Sequence, residues 1–235
     1  MDAPPLPFQP SLLADGPTGS VTDVTAARRV DLGRGAWVDH VPGWLPGADA
    51  LFSALLHGVA WQQRDVAMYG RIVTEPRLTA WWAGEDGAPG SRLARAPARL
   101  RDLLPLLDER YGPGFDAIGL NLYRSGRDSV AWHGDRHERG RPVTDVAVLS
   151  LGSPRRFLLR PTGGGRSRAF PLFSGDLLVM GGTCQHTWQH SIPKVARAGP
   201  RMSATFRRRR PPGPPGGATT PGGPPPSPRA PRPAT

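Results

Sequence analysis

The chain has 235 residues, enough for one domain with a sizeable buried core and too few for two comfortable ones. Its single cysteine, Cys184, excludes an internal disulfide framework, and no apolar run approaches the roughly 18 to 20 residues that a membrane-crossing helix needs. A formal net charge of +11 favours a polyanionic partner such as nucleic acid, although Lys194 is the only lysine and arginine supplies the rest.

The first residues, "MDAPPLPFQP", lack the basic and apolar regions of a signal peptide, so a cytoplasmic protein is expected, with residues 1–24 loosely structured. A domain is expected over residues 25–209. Within it, "ADALFSALLHGVAWQQ" puts Leu51, Leu55, Leu56 and Val59 on one helical face, and "PARLRDLLPLLDERYG" does the same with Leu100, Leu103, Leu104 and Leu107. Pro97 suits a first helical turn and Pro105 predicts a kink.

After Gly114 the pattern changes to short strands between Gly, Pro and charged turns: "DAIGLNLYR", "VTDVAVLSL", "RRFLLR", "RAFPLF", "GDLLVMGG" and "MSATFR". Helices followed by such strands predict a mainly β, α+β architecture, a closed or sandwiched β core with a helical buttress. Residues 210–235 carry no large apolar side chain and read as a disordered, Pro/Gly/Arg-rich tail.

The stretch "AWHGDRHERG" holds His133 and Asp135 one residue apart, so in an extended segment both side chains meet the same face. Alone, the pair is equally a charged turn. With a distant histidine it forms the two-His, one-carboxylate triad that leaves open positions on Fe(II), and "CQHTWQHSIP" offers His186 and His190 with equal strand parity. "RMSATFR" places Arg201 and Arg207 on one strand face, where guanidinium groups can grip carboxylates. "NLYRSG" puts Asn121 and Tyr123 on one face, opposite Ile118, Leu120 and Leu122.

Together "TEPRLTAWWAG", "NLYRSGRDSVAWHGD", "LSLGSPRRFLLR", "GDLLVMGG", "WQHSIP" and "RMSATFR" resemble, in order, the AlkB family of Fe(II)- and 2-oxoglutarate-dependent dioxygenases, from about Glu75 to Arg207. The resemblance implies a double-stranded β-helix, or jelly roll, with Fe(II) held by His133, Asp135 and His190, the last preferred because it directly precedes "SIP". It implies that Arg201 and Arg207 hold the carboxylates of 2-oxoglutarate with help from Asn121 and Tyr123. Ser203 stands where the family usually has asparagine, which bears on one auxiliary contact to that co-substrate. The implied reaction consumes O2 and 2-oxoglutarate, hydroxylates an N-methyl group and releases it as formaldehyde.

The substrate implied is an alkylated base such as 1-methyladenine or 3-methylcytosine, flipped out of DNA, or of RNA, and stacked in a pocket. Trp81 and Trp82 are the local candidates for the aromatic platform. Arg77, with Arg64, Arg71, Arg136, Arg139 and Arg141, forms an expected phosphate rim. Two departures bear on the substrate: "GEDGAPGSRLARAP" has no aromatic where relatives often carry a tyrosine-bearing hairpin, and Arg136, His137 and Glu138 follow the His-X-Asp motif where an acid is usual. A monomeric DNA demethylase without membrane attachment is therefore expected. The same chemistry on tRNA or protein, and a catalytically silent nucleic-acid-binding jelly roll with its three candidate ligands scattered, are the alternatives.

Overall fold

The fold opens with β1 (Arg28–Gly33), which hairpins into β2 (Ala36–Val41) through Gly33, Arg34 and Gly35, all at positive φ. Glycine at two of these three positions makes the left-handed turn accessible. This computed structural model describes residues 27–68, 70–83, 92–135 and 145–208.

Helix α1 (Ala48–Gly58) buries Leu51 and Leu55 of the predicted face and also Phe52, while Leu56 and Val59 are partly buried. It stops at Gly58, and the end of the quoted helical stretch belongs instead to β3 (Gln62–Met68). The following β4 (Arg71–Ala83) is the longest strand, and only its second half, Leu78 to Ala83, pairs with a strand other than β3. The first half continues as a two-stranded ribbon, where Ile72 is 79% exposed.

A 3-10 turn at Arg92–Arg95 leads to α2 (Ala98–Arg101) and α3 (Leu104–Tyr111). Pro97 caps α2, and Pro105 sits in the first turn of α3. The expected kink is thus a break between two short helices, because proline fits a first turn but not a helix interior. Leu100, Leu103, Leu104 and Leu107 stay buried across the break.

The remaining elements are β5 (Ala117–Tyr123), β6 (Val130–His133), β7 (Val146–Gly152), β8 (Arg155–Pro161), β9 (Arg168–Leu172), β10 (Leu177–Gly182), α4 (Cys184–Thr187), β11 (Trp188–Ile192) and β12 (Arg201–Arg207). They complete two antiparallel sheets. The larger has the order β1-β2-β10-β7-β12-β5-β4-β3 and the smaller β6-β11-β8-β9.

Alternation along β5 explains the layering. Ile118, Leu120 and Leu122 join Phe52, Leu100 and Phe206 in a core between the large sheet and the helices. Tyr123 faces the other way, into a second core with Phe157, Leu159, Trp188 and Ile192 of the small sheet. Two facing sheets with helices packed outside the larger one make a jelly roll with a helical buttress, as expected.

Candidate functional site

The space between the sheets opens into a cavity of about 1050 Å³, lined by Trp81, Asn121, Tyr123, His133, Asp135, His190, Arg201 and Ser203 among others. Antiparallel pairing concentrates these groups. Strand β12 lies between β5 and β7, with Arg201 opposite Tyr123 and Ser203 opposite Asn121. In the small sheet β11 pairs with β6 so that His190 lies directly opposite His133.

His133, Asp135 and His190 each offer a ligand atom within 4.8 Å of one another, and theirs is the one such cluster among the described residues. His186 is not part of it. It lies in α4, so the shared strand parity inferred for the two histidines does not apply. Phe157 stacks on His190 at a centroid distance of 5.3 Å, and burial pushes the His190 imidazole down to about 4, with Asp135 opposing the shift. The ring is accordingly neutral at physiological pH, the state that binds metal. The His133 Nδ1 lies 2.8 Å from the Ala131 carbonyl. As that carbonyl can only accept, Nδ1 carries the proton and Nε2 keeps its lone pair.

Asp135 sits under opposing influences. Burial pushes its carboxyl upward, but Arg207 and the two histidines outweigh this and hold it below the usual carboxylate range. Arg207 Nη2 donates to Asp135 Oδ1 at 2.8 Å. Arg207 therefore engages an expected metal ligand while lining the same cavity as Arg201. Its guanidinium also lies 5.2 Å from the Trp81 ring centroid.

Arg201 is fully buried, with Nε donating to Ser150 Oγ at 3.3 Å and neither terminal nitrogen hydrogen-bonded within the described residues. Burial pushes its guanidinium down to about 10, with the Tyr123 phenol opposing the shift. A buried cation with two unused donor edges is costly unless an anion completes it. The carboxylate of 2-oxoglutarate fits that requirement, as the histidine and carboxylate donor set fits Fe(II).

Trp81 and Trp82 point to opposite sides of β4. Trp81 is 44% exposed on the cavity side, whereas Trp82 packs against the helical core, so the expected platform role suits Trp81 alone. Gly119 provides the seat: a Cβ there would lie 2.6 Å from the Trp81 ring. Arg77 is not a free rim cation. Its Nη2 pairs with Glu75 at 2.8 Å and its Nε donates to Asn121 Oδ1 at 3.0 Å.

Glu75 is a cavity residue the sequence reading missed, although the period-two series Glu75, Arg77, Thr79, Trp81 signals one strand face. Gln185 also lines the cavity and carried no such signal. Arg136, His137 and Glu138, with Arg139 and Arg141 and most of the "GEDGAPGSRLARAP" stretch, lie outside the described residues.

Residues 47–210 match the model of the 2OG-Fe(II) oxygenase superfamily. The bovine protein named alpha-ketoglutarate-dependent dioxygenase alkB homolog 3 is 35% identical over 183 residues, covering 71% of this chain and 64% of that protein. The mouse protein named DNA oxidative demethylase ALKBH2 is 31% identical over 179 residues, covering 68% of this chain and 74% of that one. The solved structure of OsALKBH1 has a TM-score of 0.52 at 16% identity, covering 77% of this chain and all of the other, and shares its fold. Against the bovine and human alkB homolog 3 proteins the chain spans 64% and 61% of their length.

Proposed function

Because the chain belongs to the AlkB family of the 2OG-Fe(II) oxygenase superfamily, we propose that it is an oxidative demethylase of N-alkylated bases in DNA, such as 1-methyladenine and 3-methylcytosine. The observation that carries this reading is the convergence of His133, Asp135 and His190 on the cavity into which the partnerless donors of Arg201 are buried.

When bound, Fe(II) and 2-oxoglutarate supply, with O2, the oxidation that turns an N-methyl group into a hydroxymethyl group lost as formaldehyde. The chain's own work is placement. His133 presents its Nε2 with Nδ1 turned to the Ala131 carbonyl, His190 a neutral ring, and Asp135 a carboxylate held by Arg207. Arg201 binds one carboxylate of the co-substrate, with Tyr123, Asn121 and Ser203 lining the same wall. Trp81 offers a flat face for the flipped base. Arg77 positions Asn121 and keeps Glu75 at the cavity wall.

The test is incubation of the full chain with Fe(II), 2-oxoglutarate and a panel of methylated DNA and RNA oligonucleotides, read by mass spectrometry. Loss of methyl groups from DNA, with stoichiometric succinate, is expected. Turnover confined to RNA, or none on any oligonucleotide, would overturn the DNA assignment.

A further inference from the structure

Arg64, Arg77, Arg201, Arg207 and Arg208 line the cavity against three acids, Glu75, Asp135 and Asp145. Two of those acids are committed. Asp135 is an expected metal ligand held by Arg207, and Asp145 accepts from Arg208 Nη1 at 3.0 Å. The Glu75 carboxylate takes one hydrogen bond among the described residues, from Arg77 Nη2 to Oε1, which leaves Oε2 unused. A carboxylate has room for about four.

Hydrogen bonding draws this carboxylate towards the aromatic platform. Glu75, Arg77, Thr79 and Trp81 follow one another at every second position along the cavity face of β4. Arg77 Nε reaches Asn121, the residue opposite Thr79, so its guanidinium leans along the strand towards Trp81 and brings the Glu75 carboxylate with it. Asn121 is in turn the next cavity-facing residue of β5 after Gly119, on which the Trp81 ring rests. Only 16% of each side chain of the Glu75–Arg77 pair is exposed, so its charges act at reduced dielectric.

The base itself brings the complementary chemistry. Methylation at N1 of adenine or N3 of cytosine leaves the ring cationic at neutral pH, with an exocyclic amino group beside the methylated nitrogen. In 3-methylthymine and 3-methyluracil the ring is neutral, and carbonyl oxygens flank the methylated nitrogen on both sides. We propose that Glu75 selects between these two classes. Its Oε2 accepts from the amino group of a cationic base stacked on Trp81, whereas a carbonyl in that place sets acceptor against acceptor. The inference rests on the demethylase reading above. It assigns the selection to β4, because the sequence directly after Asp135 runs Arg136, His137 before its first acid.

The test is competition fluorescence anisotropy with the full-length protein loaded with Mn(II) and 2-oxoglutarate. The competitors are two short single-stranded DNA oligonucleotides, alike except for one 3-methylcytosine or one 3-methyluracil. These bases differ only in the group at C4 and the charge that it brings. Wild type should bind the 3-methylcytosine strand at least about tenfold more tightly. In Glu75→Gln the side-chain carbonyl still accepts from Arg77, but the amide offers a donor; the preference should vanish, chiefly through weaker binding of 3-methylcytosine. Glu75→Asp should retain a preference for 3-methylcytosine.

Each preference is a ratio within one preparation, so it does not depend on how much of a variant is folded. No binding or no preference in wild type, the wild-type ratio kept in Glu75→Gln, or an equal loss on both strands would overturn the assignment, the last by reducing Glu75 to a counter-ion of Arg77. If binding follows the predicted pattern but the Fe(II) protein demethylates neither strand, the role of Glu75 stands and the proposed reaction falls. If Glu75→Gln demethylates both strands in the wild-type ratio, the reaction stands and the role of Glu75 falls.

Discussion

Arg207 donates to Asp135 across 2.8 Å, so an arginine expected to hold the co-substrate also orients an expected metal ligand. Charged partners of ligating carboxylates set their orientation, and losing one typically costs about 10- to 100-fold in metal affinity or activity. Arg207→Ala should therefore weaken Mn(II) binding, titrated without 2-oxoglutarate, by about tenfold. An unchanged Mn(II) affinity would assign Arg207 to another role.

Arg201 yields a prediction with two opposite signs. Replacing a buried unpaired cation with an apolar isostere removes a desolvation cost, so Arg201→Met should raise the Tm of the ligand-free protein. The same change removes charge-assisted hydrogen bonds to a carboxylate, and 2-oxoglutarate affinity should fall by about 100-fold at unchanged Mn(II) affinity. A fall in both Tm and metal binding would mark a purely structural role.

The histidines separate cleanly by position. His190→Ala should abolish Mn(II) binding and formaldehyde release, whereas His186→Ala, in α4 and outside the cluster, should keep both within a few-fold of wild type. The reverse result would exchange the two ligands.

Gly119→Ala should act on the substrate alone. The added methyl would collide with the Trp81 ring and with Thr205 Oγ1, 2.9 Å away, and the ring is the movable partner. Demethylation of an oligonucleotide should lose at least about tenfold in kcat/KM, while uncoupled 2-oxoglutarate decarboxylation stays near wild type. Equal losses in both would mean that the sheet itself had shifted.

A pH effect on stability should arise at Asp176. Burial alone would raise its carboxyl, but His40 and the backbone N–H groups of Phe173 and Gly43 outweigh this and hold it below the usual range. A depressed folded-state value means that the stabilisation is complete above the unfolded value near 4 and is lost as pH falls through the lower, folded one. Asp176→Ala should destabilise by about 1–3 kcal/mol near neutral pH and by less in acid. Denaturant unfolding of both proteins between pH 3 and pH 7 measures this, and a constant difference would refute it.

The sequence carried the site better than the fold's edges. Strands rich in apolar residues, such as β7 and β10, were legible because both faces are covered. Strands β3 and β4 were not, since β4 is exposed from Arg71 to Thr74, its apolar residues do not alternate strictly with polar ones, and only its second half gains a further strand, β5. β6 was short and hidden by its own motif residues, and β1 and β2 precede any recognisable motif. His133, Asp135 and His190 come together in one cluster, and Arg201 lines the same cavity. The partners of Arg207 and Arg77 depend on side chains from distant strands, and the division of Trp81 from Trp82 depends on which face of β4 meets the helices. Neither is written in local periodicity.

Past Pro76, whose carbonyl accepts from Ser129 N–H, the ribbon of β3 and β4 has no further strand beside it among the described residues. Its length from Arg71 to Pro76 is about 17–20 Å at the usual strand rise. That makes it a lever with its fulcrum at the cavity rim. A twist of about 10° at Pro76 would carry the Ile72 end, four residues away, through about 2 Å, while Trp81 is held by its pairing with Gly119 on β5. The outer end of the ribbon and the Trp81 wall of the cavity are thereby mechanically separated within one continuous piece of chain.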